Sequence, residues 1–295
     1  MNPDWLSVVL RALGFVCLFQ AAGTVCFLAL FGHLVGRSRH SIRRLGWYSA
    51  LAGVPLLAAR QWLQAARMAD DYAGLFDPSL QRLAWSGSGA SAAFLQIAGL
   101  CMIALALARQ ARSSANLAAL GALVATCAFA LTGHTSDQPQ RALLAALLCI
   151  HLLLMSFWFG ALLPLIICSR HETRSDALAL LRSFSGVAGW LVPCIAVAGL
   201  SMALVLIPAL EGWRAVYGLL LLGKAAAFAV LLLLAAWNRW RTVPTLALAS
   251  GAPPTGSPAS APEPARTLRR TIAIEYLLML AVFATTAVLT SFYGP

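Results

Sequence analysis

Of 295 residues, 60% are hydrophobic and only 11% charged, with a mean hydropathy of +0.80 and a formal net charge of +11. Soluble domains carry about 45–50% apolar and about 25% charged residues, so a water-soluble globular fold is excluded. The excess of positive charge would suit nucleic acid, but its placement along the chain excludes that partner too.

A helix needs about 20 mostly apolar residues to cross the hydrocarbon core. Eight stretches meet that need: 6–33, 45–66, 89–109, 114–133, 140–168, 183–208, 214–238 and 270–292. Strand-like alternation is absent, which argues against a transmembrane barrel. The predicted fold is all-α: a polytopic bundle of eight transmembrane helices in one domain spanning 1–295. The first stretch follows MNPDW, with neither a basic n-region nor a small-residue cleavage pattern, and reads as a retained helix. Residues 67–88, with DDYAGLFDP, are expected to form a loop holding a short helix. The run SGAPPTGSPASAPEPA marks a flexible linker over 245–266. No internal repeat supports inverted-repeat architecture.

Arginines fall in alternate connections. Arg37, Arg39, Arg43 and Arg44 follow the first span, and Arg109 and Arg112 the third. Arg170, Arg174 and Arg182 follow the fifth, and Arg239, Arg241, Arg266, Arg269 and Arg270 the seventh. These are fourteen of the 21 basic residues. The other connections carry Asp4, Asp70, Asp71, Asp77, Asp137 and Glu211. The positive-inside rule then predicts both termini outside and the basic side in the cytoplasm.

Ionisable side chains at bilayer depth are costly and face a bundle interior or a watery path. His151 lies ten residues into the fifth span, roughly 15 Å deep at 1.5 Å per residue. Met155 at i+4 and Trp158 at i+7 share its face. His134 stands near the outer mouth, with Asp137 and Pro139 suited to start the next helix. Imidazole plus thioether, without carboxylates, suits copper and Cu(I) in particular; an interhelical hydrogen bond is the plain alternative for His151. The gap from His134 to His151 calls for an intermediate ligand, with Cys127 and Met202 as candidates. Haem held by both histidines is disfavoured, because their depths differ by roughly 15 Å. Lys224 lies deep in YGLLLLGKAAAF and is expected to be buried and hydrogen-bonded, with Glu275 as a possible partner. Arg60 is expected to snorkel toward the outer interface. The seven cysteines lie in or beside apolar spans without a CxxC pair and read as small buried hydrophobes. No nucleophile–base pair, phosphate loop or paired carboxylate points to an enzyme.

An ordered set of motifs carries a resemblance. Gly133–His134, His151 with WFGALLPL at 158–165, RSFS at 182–185 and AGLSM at 198–202 come first. VYGLLLLGK at 216–224, WNRW at 237–240 with Pro244, and LRRTIAIE at 268–275 follow. Together they resemble the copper resistance D (CopD-type) family of bacterial inner-membrane proteins, from about residue 130 onward. The resemblance implies an eight-helix inner-membrane protein that moves copper from periplasm to cytoplasm, beside periplasmic copper-binding proteins. It carries over His134 and His151 as candidate ligands, and Trp158, Gly160, Lys224 and Glu275 as motif positions. The N-terminal half is expected to be family-variable.

Overall fold

The computed structural model describes residues 2–109, 114–132, 140–207, 216–250 and 263–293. Among them the regular elements are all helical. They are α1 (Pro3–Phe31), α2 (Arg39–Trp62), the short α3 (Gln64–Ala69) and α4 (Pro78–Ser86), α5 (Ser88–Ala108) and α6 (Ser114–Cys127). Then come α7 (Arg141–His171), α8 (Arg174–Leu206), α9 (Val216–Trp237), α10 (Val243–Ser250) and α11 (Glu263–Phe292). Among the described residues seven helical stretches are long and apolar enough to cross a membrane, and the chain is a multi-pass membrane protein. α2, with 24 residues, reaches about 36 Å, but Arg39, Arg43, Arg44 and Arg60 dilute its apolar character. It packs between α1 and α5.

Several helices run further than hydropathy alone marks. α8 begins at Arg174 and α11 at Glu263, while α9 continues through a π turn (Asn238–Thr242) into α10. The basic segments are therefore largely helix ends and not loops, since arginine favours helix and its long stem reaches past the apolar zone. The linker expected over 245–266 shrinks accordingly: residues 245–250 are helical and the helix resumes at Glu263. Pro264 in the first turn of α11 costs no helical hydrogen bond there. The expected external loop contains α3, a 3-10 turn at Tyr72–Phe76, and α4. Asp77 caps α4, its Oδ1 accepting from Ser79 N (2.7 Å) and Leu80 N (3.2 Å).

The arginine-rich segments gather at one end of the bundle. Arg43 donates to the carbonyls of Leu107 (2.7 Å) and Arg109 (2.6 Å), closing the C-terminus of α5. Glu172 accepts from Ser38 N at 2.7 Å and ties the α1–α2 turn to the α7–α8 turn. At the opposite end Arg67 pairs with Asp4 at 2.7 Å, and Arg11 donates to Thr290 Oγ1 at 2.7 Å.

α1 is the central element, in contact with α2, α6, α7 and α11. Its crossing with α7 is set by two glycines: a Cβ on Gly160 would lie 2.5 Å from Gly23 Cα. Without hydrophobic drive between helices in lipid, such close backbone approach is what packing depends on. Gln20, buried, donates from Nε2 to Gly160 O at 3.0 Å and seals the same crossing. One hydrophobic cluster runs from Leu18 on α1 to Phe283 on α11.

Candidate functional site

His151 sits ten residues past the start of α7, half-buried against α8. Its Nδ1 lies 3.2 Å from the carbonyl oxygen of Ile195. A carbonyl can only accept, so Nδ1 carries the proton and Nε2 is left with a bare lone pair. That tautomer is the one a metal-binding imidazole needs, with the far nitrogen fixed by a backbone carbonyl. The ring fits because residue 199 is glycine: a Cβ there would stand 3.2 Å from His151 Cε1. Met202, three residues beyond Gly199, continues the same face of α8 and is half-buried.

From His151 a stripe descends α7 at helical spacing: Met155, Trp158, Leu162, Leu165. Met155 and Trp158 are buried. Trp158 meets Phe228 of α9 edge-on, ring centroids 6.0 Å apart. Beyond that contact, toward the arginine-rich end, a cavity of about 540 Å³ opens among α7, α8, α9 and α11. Trp158, Leu162, Leu165, Asn238, Arg239 and Glu275 line it. Glu275 is buried and accepts from Asn238 Nδ2 at 2.7 Å, and Asn238 Oδ1 accepts from Thr271 Oγ1 at 2.6 Å. The side chain of Arg239 crosses Gly189, where a Cβ would collide with it, and donates to Ser185 O at 2.5 Å.

Lys224 and Glu275 do not pair. Glu275 is level with Asn238, fourteen residues along from Lys224, a separation of about 21 Å on a helix. Lys224 is half-buried and close enough to His151 to interact with it electrostatically. Among the described residues it makes no hydrogen bond, contrary to the sequence expectation, and the one ion pair is Arg67–Asp4. Cys127 does not share the His151 face: it meets Cys149 from the other side of α7. His134, with Asp137 and Pro139, lies outside the described residues. Among the described residues no three His, Cys, Asp or Glu side chains converge in the manner of a multidentate metal cage. Sequence reasoning missed Asn238, Thr271 and Gln20, which look like ordinary polar residues until their partners are known. The signal that could have found Asn238 is Pro244. A proline removes one helical hydrogen bond and crowds the preceding turn, and π turns of the kind found at 238–242 mark functional sites often.

Comparison with protein families decides the assignment. Residues 1–140 match the model described as "Copper resistance protein D-like, N-terminal domain", and residues 178–289 match "Copper resistance protein D". The chain belongs to the copper resistance D family. No curated protein and no solved structure gives a significant match. The N-terminal half of this copper resistance D protein is thus not family-variable sequence, as the motifs alone suggested, but a recognisable family segment covering α1 to α6. The second match takes in Met202, Lys224, Asn238 and Glu275. His151, Met155 and Trp158 lie on the helix between the two matched segments.

Proposed function

We propose that this copper resistance D protein binds copper within its helical bundle and carries it from the outer face of the bacterial inner membrane to the cytoplasm. The observation that supports this reading best is the hydrogen bond from His151 Nδ1 to Ile195 O. It presents a bare Nε2 at half depth, at the head of a stripe that ends in the Glu275 cavity. In this reading the ion comes by way of His134 and rests on His151 with Met155, soft neutral donors that hold Cu(I) without trapping it. Met202 is placed to share the load from α8. Passage inward requires Trp158 and Phe228 to part, after which Glu275 and Asn238 offer oxygen donors near the exit. All eight long helices cross, α2 included, with both termini outside and the arginine-rich end in the cytoplasm. A periplasmic copper-binding protein is the natural donor.

Copper uptake into proteoliposomes tests the reading. His151→Ala should lower the uptake rate at least about tenfold, as expected for loss of a ligand held by an ordered outer partner. Uptake equal to wild type would overturn it. A Soret band in the purified protein would favour haem instead. Binding of the donor protein without any uptake would leave a membrane scaffold. For the orientation, a reporter inserted in 251–262 should read as cytoplasmic, and a periplasmic signal would refute it.

A further inference from the structure

α6 gives way to a 3-10 turn right after Cys127, at Ala128–Leu131. Helix ends leave carbonyls without intrahelical donors, and here the Cys149 thiol of α7 approaches the Cys127 carbonyl, Sγ to O 4.0 Å. That contact brings the Cys149 side chain against the residue that bears the other thiol. Both are free and half-buried, neither sealed in the core nor spread on the surface. Two residues along a helix is a rotation of about 200°, so α7 turns Cys149 toward α6 and His151 toward α8.

We propose that Cys127 and Cys149 form a second, two-coordinate site for a soft monovalent ion, Cu(I) or its analogue Ag(I); the copper assignment rests on the function proposed above. Thiolates are the ligands, so each S–H bond breaks, two metal–sulfur bonds form, and the protons pass to water. No electron moves. Thiolate softness selects Cu(I) over oxygen-seeking ions. Zinc is a poor occupant, because it takes four nitrogen, sulfur or oxygen ligands. Among the described residues no third His, Cys, Asp or Glu joins the pair. A filled closed-shell monovalent ion is content with two sulfur ligands, here one from each of two neighbouring helices. The site lies about 12 Å past the start of α7, nearer the Arg141 end than His151 is, and it would take up an ion before the imidazole does.

Site-resolved maleimide labelling of the purified full chain, read by peptide mass spectrometry, tests this with Ag(I) as the probe. One equivalent of Ag(I) should slow labelling of Cys127 and Cys149 by about tenfold or more, because the metal occupies the reactive thiolate. Zn(II) should not. Cys101 and Cys194, which are exposed, should label at unchanged rates and serve as internal controls. Cys149→Ser keeps a side chain of nearly the same shape against α6 while the soft donor is gone. Ag(I) should then no longer protect Cys127. Unchanged labelling of either thiol in wild type, equal protection by Zn(II), or protection of Cys127 that persists in Cys149→Ser would each overturn the proposal. Because the readout is binding, protection without copper uptake would sink the transport reading alone. Uptake without protection would sink only the thiol site.

Discussion

The two parts of the bundle are held together in different ways. Along α1 and α5, 56% of the apolar stretch is buried, against 17% along α8 and 6% along the helix that begins with α9. The first part is knit by backbone-to-backbone crossings: Gly23 on Gly160, and Gly99 on Gly121, where a Cβ on Gly99 would reach within 2.6 Å of the Gly121 carbonyl. In the second part, Gly186, Gly189, Gly199 and Gly223 make no such backbone crossing. Nothing stands within 4 Å of a Cβ built on Gly186 or Gly223, and a cavity separates its helices. Elements with few buried contacts open at low free energy and are the ones that move. The candidate copper residues sit along the boundary: His151 and Trp158 are fixed on α7, a helix of the tight part, and their partners Gly199, Lys224 and Phe228 on the loose one. A rigid wall facing a movable wall is what the proposed passage of copper along the seam needs.

The comparison breaks most easily at Gly160. Gly160→Leu should drive α1 and α7 apart, lower the melting temperature sharply in detergent, and cost about 3 kcal/mol or more, the upper range for overpacking. A melt equal to wild type would mean that the crossing is not the keystone it looks to be. The Glu275 network gives the next largest effect. Glu275→Ala leaves Asn238 without its acceptor and should cost about 1–3 kcal/mol. Glu275→Gln keeps an acceptor for Asn238 and should melt near wild type while slowing copper release. If both variants melt alike, the carboxylate is not structural. Lys224→Met should leave the melting temperature within about 2 °C, because no hydrogen bond is lost. It should also tighten Cu(I) binding at His151 several-fold by removing a like charge; weaker binding would place Lys224 among the groups that hold the site. The smallest effect is expected from Gly199→Ala. Its methyl would press on the imidazole, weaken copper binding about two- to threefold, and leave stability unchanged on the loosely packed α8. Competition titration against a colorimetric Cu(I) chelator reads the last two.

Much of the architecture was legible in the sequence because lipid imposes one simple rule, an apolar run of fixed length for each crossing. Runs ending at Ala108 and Leu131 were placed within a residue or two on that basis. Where helices outrun the apolar zone, at Arg174 or Glu263, hydropathy had nothing to register. His151 stood out as an imidazole where none is needed, and its depth followed from counting. What could not be read was rotation about the helix axis relative to neighbours. That rotation decides that Cys127 meets Cys149 and not His151, and that Glu275 answers to Asn238 and not to Lys224. Polar glue such as Gln20 was invisible because its acceptor, the Gly160 carbonyl, lies 140 residues away.

The π turn at Asn238–Thr242 acts on everything after it as a single added residue does. One residue of α-helix corresponds to 100° of rotation, so the wide turn advances the phase of α10 by about that amount relative to α9. The advance sets Val243 and Leu246 into the core, where both are buried. Deleting one residue between 239 and 242 would return the helix to its ordinary pitch and leave Asn238 facing Glu275. It would also swing Val243 and Leu246 out toward lipid. Register, more than composition, is what anchors the arginine-rich end of this helix, and a frame of one residue is all that separates a docked α10 from a free one.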